Sequence, residues 1–295
     1  KMPDKHGIVG NGWYDRELNE HHFWKQSNQL VQSRKIWEIL REKKKDFSCA
    51  NLFWWYNMHS SVDHSITPRP LYRADGFKSF DVHTQPMHLR EEIKADLGDF
   101  PFHGFWGPKA GIASSKWIAE SAKWTEEKHS PDLSLVYLPH LDYDLQRLGP
   151  NDPKISKALN EIDQVVGELI SFYEKRGIRL IILSEYGITE VKNVIYPNRV
   201  FRNKGWLSIK DELGLEYLDC GGSKAFTITD HQVAHVYLQD ESPRFRKEVR
   251  NCLESMEGVE KILEGESRKE AGLNHERSGD FVIFSKEDAW FAYYH

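Results

Sequence analysis

Cysteine is scarce in this chain of 295 residues: Cys49, Cys220 and Cys252 are the three present. They are too few and too scattered for a disulfide framework or a thiolate zinc site. That usage suits a reducing compartment, and a cytoplasmic location is expected. No apolar run approaches the ~18 residues of a membrane span, so no membrane partner is expected. An excess of positive charge is missing as well. Lys and Arg number 40 against 45 Asp and Glu, a net charge of −5, whereas a polyanion binder shows a basic face. The one cationic run, residues 41–45, suits the C-terminal end of a surface helix, and no nucleic-acid partner is expected. Two motif classes are absent too. Without a GxSxG elbow there is no support for a Ser/His/Asp triad, and without a Gly-rich phosphate loop there is none for a P-loop or dinucleotide fold.

Aromatic residues are abundant, with 10 Trp, 12 Tyr and 15 Phe. They cluster at 53–56 and 290–294 with no basic residues interleaved, as in core or pocket wall rather than a nucleic-acid platform. Residues 50–56, 133–139 and 178–184 form continuous apolar runs, the pattern of strands buried on both faces of a parallel sheet. Helical patterns at 29–44, 87–97, 112–128 and 153–175 separate them. The last carries one stripe of Ile155, Leu159, Ile162, Val166, Leu169, Ile170 and Tyr173, with Pro153 in its first turn and Gly177 as a left-handed stop. The alternation predicts an α/β fold with a doubly wound, mostly parallel sheet, whose ligands lie beyond the carboxyl ends of the strands. After residue 198 the pattern changes to strands at 223–229 and 233–238, a helix at 243–255 and strands at 259–263 and 280–285. This is expected to be a small α+β cap insert at 198–284, on a core of 1–197 to which 285–295 returns.

Two predicted strand ends carry carboxylates. Residues 133–139 lead into Asp142, and residues 178–184 lead into Glu185. Oxygen ligands converging from separate strands suit a hard cation, although a single such carboxylate more often caps a helix. Asn57 follows the first apolar run and is a candidate substrate contact. His231 and His235 stand four apart; on a strand that is about 13 Å, too far to share one ion. Asp230-His231 at a hairpin tip leaves His231 as a candidate metal ligand.

The segment His6-Gly7-Ile8-Val9-Gly10-Asn11-Gly12-Trp13-Tyr14-Asp15 resembles the HGIVGNxxYD segment of type I phosphodiesterases, nucleotide pyrophosphatases and related phosphonoacetate hydrolases, within the alkaline phosphatase superfamily. Residues 142–150 resemble the family's DxxxHxxGP metal motif, and residues 184–188 its SDHGM metal motif, all in family order. The resemblance implies an alkaline phosphatase-like fold and metal-dependent hydrolysis of small phosphate mono- or diesters. It implies that Asn11 donates to a non-bridging phosphate oxygen and that Asp142 and Glu185 are metal ligands. The Thr or Ser nucleophile of the family precedes the segment matched by His6, and its last histidine ligand follows residue 295. No catalytic nucleophile is therefore expected in this chain; both ends read as cut, and the fragment alone is expected to be inactive.

The motifs also depart from the family. Gln146 stands where the first has histidine, and Glu185-Tyr186 replaces the Asp-His pair of the second. A divalent ion (Zn, Mg or Mn) is still implied, but oxygen ligands suit the harder ions better than zinc, and one firmly held ion at most is expected. Two alternatives stay open: a catalytically silent relative that binds a phosphorylated ligand, and a phosphonate C–P hydrolase.

Overall fold

The computed structural model describes residues 1–295 as two compact units. Unit 1 comprises Lys1–Lys25, Leu30–Ser33 and Thr189–His295, and unit 2 comprises Gln26–Gln29 and Arg34–Ile188. Unit 1 opens with α1 (Pro3–His6), β1 (Gly12–Asp15) and β2 (Glu20–Phe23). Unit 2 carries α2 (Ile36–Lys43), β3 (Cys49–Leu52), β4 (His64–Tyr72), β5 (Lys78–Gln85), α3 (Leu89–Leu97), α4 (Ile112–His129), β6 (Leu133–Val136), α5 (His140–Leu148) and α6 (Ile155–Glu174). Unit 1 resumes with β7 (Asn193–Ile195), α7 (Pro197–Asn203), β8 (Ser208–Glu212), β9 (Leu215–Asp219), β10 (Ala225–Asp230) and β11 (Val233–Leu238). It closes with α8 (Pro243–Glu254), β12 (Val259–Leu263), α9 (Gly265–Glu270), β13 (Phe281–Ser285) and β14 (Ala289–Phe291). No helix is long and apolar enough to cross a membrane.

The sheet of unit 2 has the order β5-β4-β3-β6. Strand β3 pairs parallel with β4 and β6, while β4 and β5 form an antiparallel hairpin. All four residues of β3 are buried, as a continuous apolar run in a doubly covered strand requires. Helix α6 buries Ala158, Ile162, Val165, Leu169 and Tyr173, whose spacings of three and four keep them on one face. Gly177, at φ 70°, ends the turn behind it, the left-handed position its lack of a Cβ allows. Phe53, Phe100, Phe105 and Trp117 join these residues in one core. The α/β class is as the sequence predicts.

One predicted strand is different. Residues 178–184 form no strand and pair with none. Ile178 and Leu180 pack against the core, yet Ile181, Ile182 and Leu183 are 80%, 66% and 64% exposed. β-branched composition favours an extended chain, but only a neighbouring ladder turns it into a strand.

Unit 1 is built mainly from antiparallel pairs, in a four-stranded sheet of order β10-β11-β13-β12. Strands β14 and β7 pair parallel beside it. The β-β-α-β order expected after residue 198 is present, and here it shares a unit with residues 1–25. Tyr14 of β1 stands edge-on to Phe226 and Tyr237, with ring centroids 5.0 and 5.5 Å away. The β10–β11 hairpin closes Asp230 on Val233, leaving His231 and Gln232 as a two-residue turn with His231 at φ 57°. Gln232 holds that turn in place: its amide donates to the carbonyls of Lys286, Glu287 and Ala289 at 3.2, 2.8 and 3.0 Å.

Candidate active site

In unit 2 the chemistry gathers on α5. Its first turn carries Asp142, and Gln146, four residues on, lies on the same helical face. The Gln146 amide donates to both carboxylate oxygens of Asp142, at 3.0 and 2.9 Å. Tyr186 arrives from the segment between α6 and β7 and donates its hydroxyl to Oδ1 at 2.7 Å. Beside it, Glu185 has an exposed side chain, yet the protein around its carboxyl, and then the Asp142 charge, push its pKa above the usual range. No cation opposes them. Tyr137 is raised to about 12, chiefly by burial and then by the Glu185 and Asp142 charges, while a hydrogen bond with Trp55 acts the other way. Burial and the bond to Asp142 raise Tyr186 further still, so it is a neutral hydrogen-bond donor at ordinary pH.

A carboxyl such as Glu185, whose charge its surroundings disfavour, gains from a nearby cation, and the Gln146 amide can present its oxygen in place of its nitrogen. Oxygen donors with water completing the shell fit one hard divalent ion. No group of three His, Cys, Asp or Glu side chains comes together in the structure.

Unit 1 holds Asn11 and His231. The Asn11 backbone N–H donates to Asp230 Oδ2 at 2.7 Å and its side-chain amide donates to Oδ1 at 3.0 Å. His231 is half exposed at the hairpin tip, with Nε2 3.9 Å from Asp230 Oδ1. His235 is fully buried, and both its nitrogens are committed: Nε2 donates to the Val9 carbonyl at 3.0 Å, and Nδ1 accepts the Gly279 N–H at 3.1 Å. Burial lowers its pKa to about 4. It is a neutral core histidine.

Asn57, expected at the wall of a substrate pocket, is placed in the interior of unit 2. It is fully buried, and its amide donates to the Ile66 carbonyl at 2.9 Å. The chain turns inward there because Phe53, Tyr56 and His59 all adopt left-handed backbone angles, φ 63°, 55° and 57°. Two participants were not singled out as site residues from sequence: Tyr137, which is masked as one more apolar residue of its run, and Asp230, whose only signal is its place beside His231. Asp142 and Gln146 stood out through the resemblance of residues 142–150 to the family's metal motif; the helix that carries them, α5, was not expected.

The profile of the type I phosphodiesterase/nucleotide pyrophosphatase family matches residues 1–295. An uncharacterised pyrophosphatase/phosphodiesterase of Schizosaccharomyces pombe is 35% identical over 216 residues, which are 68% of this chain and 36% of that protein. The chain thus spans little more than a third of that relative. Among solved structures, phosphonoacetate hydrolase from Sinorhizobium meliloti, in complex with phosphonoacetate, superposes with a TM-score of 0.63 at 17% identity, covering 98% of this chain and 68% of that one. An inactive murine ectonucleotide pyrophosphatase/phosphodiesterase 5, in complex with AMP, gives 0.60 at 15% identity, covering 98% and 65%. The alkaline phosphatase PafA gives 0.65 at 13% identity, covering 100% and 75%. At these identities the superpositions establish the fold, and the profile match over residues 1–295 establishes more: the chain belongs to the type I phosphodiesterase/nucleotide pyrophosphatase family.

Proposed function

We propose that the protein carrying this chain hydrolyses small phosphate mono- or diesters with the help of a divalent ion held by Asp142 and Glu185. The observation that carries this reading is the match to the type I phosphodiesterase/nucleotide pyrophosphatase family over residues 1–295, with Asp142 where the sequence resembles that family's metal motif. Burial, and then the Asp142 charge, raise the pKa of Glu185, and a cation nearby would offset that charge. When bound, the ion would offset negative charge developing on the phosphoryl oxygens. Tyr186 and Gln146 orient the Asp142 carboxylate. Asn11 supplies a neutral donor to a non-bridging oxygen, the role its motif position implies. His231, half exposed at the β10–β11 turn, stays a candidate metal ligand of unit 1. Complexes of family neighbours with AMP and with phosphonoacetate are in keeping with a small phosphorylated ligand.

Turnover of bis(p-nitrophenyl) phosphate by the full-length protein, with Mg²⁺ or Mn²⁺ supplied, tests this. It should vanish with chelator and in Asp142→Ala. Undiminished turnover in either case would sink the reading. A second reading has one observation in its favour: Gln146 and Tyr186 already satisfy the Asp142 oxygens with hydrogen bonds. A silent relative built that way would bind AMP without turnover and without regard to chelator.

A further inference from the structure

Asp230 receives two hydrogen bonds from Asn11, and that is an unusual place for a carboxylate. The reading above makes Asn11 a donor to phosphate, an anion, and the structure sets another anion against it. Asp230 Oδ2 takes the backbone N–H at 2.7 Å and Oδ1 takes one amide hydrogen at 3.0 Å. The approach is close enough that a Cβ on Gly10 would stand 3.0 Å from Oδ2. No Lys or Arg pairs with this carboxylate; its one ion-pair neighbour is the His231 imidazole at 3.9 Å. Its charge reaches other groups, since after burial it is what raises the Tyr293 phenol. The side chain is mostly covered, at 14% exposure, which limits screening by water.

An amide nitrogen carries two hydrogens. With one fixed on Asp230, the other is free for a second acceptor. Two acceptors on one such nitrogen stand ~2.9 Å from it and well apart in angle, which puts them about 5 Å from each other. A phosphate oxygen bound to Asn11 would therefore lie about 5 Å from a carboxylate oxygen, a distance at which like charges repel appreciably at a partly solvated site. That repulsion grows with the charge on the phosphate. A diester carries one negative charge, and a monoester carries close to two at neutral pH.

We propose that Asp230 is a specificity-determining residue, which orients the Asn11 amide and disfavours phosphomonoester dianions relative to diester monoanions. The inference rests on Asn11 binding phosphate, as in the proposed function. Its test compares kcat/KM for p-nitrophenyl phosphate and bis(p-nitrophenyl) phosphate in the full-length protein, in Asp230→Asn and in Asp230→Ser. Both variants keep an acceptor for the Asn11 backbone N–H and remove the charge, and melting curves show which of them is folded. The ratio of kcat/KM for the monoester to that for the diester should rise about tenfold, mainly through KM. An unchanged ratio in a folded variant overturns the proposal. So does an equal loss on both substrates, which would make Asp230 a purely structural partner of Asn11. If the wild-type protein turns over neither ester, the hydrolase reading fails separately. Calorimetric binding of phenyl phosphate against diphenyl phosphate then reads the same ratio, and no change in it, or no binding of either, rejects the role for Asp230.

Discussion

The two units hold their polar side chains by different means. In unit 1 the partners are far apart in sequence. Asn11 reaches Asp230 across 219 positions, His235 reaches Val9 across 226, and the Tyr237 hydroxyl donates to the Arg277 carbonyl. In unit 2 the site is assembled locally and near the surface. Asp142 and Gln146 are four residues apart on one helix, and Tyr186 joins them across 44. A donor locked by distant backbone depends on the fold, and the fold depends on it. A carboxylate on an exposed helical turn can change with little structural consequence. Substitution of His235 in unit 1 should therefore register as stability, and substitution of Asp142 in unit 2 as chemistry.

The sharpest separation is expected at Asp142. Asp142→Ala should lower phosphodiester turnover of the full-length protein by on the order of 10³-fold, with a melting temperature within about 3 °C of wild type. A large drop in melting temperature would break the distinction. His235→Ala is the converse experiment. It strands the Val9 carbonyl and the Gly279 N–H and leaves a cavity, so chemical denaturation should show a loss of about 2–4 kcal/mol; a near-neutral result would show that this buried link is dispensable.

The same histidine makes unit 1 sensitive to acid. Folded His235 protonates only near pH 4, whereas an imidazole in the unfolded chain protonates near its ordinary value of about 6.5. Between these values the unfolded chain binds more protons, so stability falls as pH drops from about 6.5 toward 4, and nothing is gained above that window. Urea midpoints at pH 7.5 and 5 should show the decline, and His235→Gln should flatten it. A smaller effect is expected at Tyr186→Phe. Loss of the hydroxyl that orients Asp142 should weaken Mn²⁺ binding by about tenfold while leaving the denaturation midpoint alone. The smallest belongs to Ile182→Lys, which at 66% exposure should shift stability by less than about 0.5 kcal/mol; a loss above about 1 kcal/mol would mean the segment is packed after all.

What the sequence discloses follows the range of the interactions involved. The stripe on α6 and the hairpin of β10 and β11 are local, so periodicity reveals them, whereas Asp142 and Gln146 are legible only through a motif resemblance, without the helix that joins them. The inward turn of Asn57 depends on three left-handed residues in a row of aromatics and a histidine, where no glycine announces it. Residues 178–184 have the composition of a strand, but pairing is a property of neighbours. The Asn11–Asp230 link joins a motif residue to a turn residue more than two hundred positions away, and a single sequence contains nothing that pairs them.

The division of the chain also sets a schedule. Residues 1–25 belong to unit 1, but their companions begin only at Thr189, so nearly all of unit 2 is synthesised in between. A domain folds as its parts become available. Unit 2 is almost continuous and can collapse while the ribosome is still at work. The amino-terminal segment, with Trp13, Tyr14 and the Asn11 motif, must wait unpartnered until β10 and β11 emerge. Closing so long a loop costs little at equilibrium but slows arrival. During that interval the newborn chain leaves those aromatic side chains uncovered, and a stall in translation before β10 would leave Asn11 without the carboxylate that accepts its hydrogen bonds.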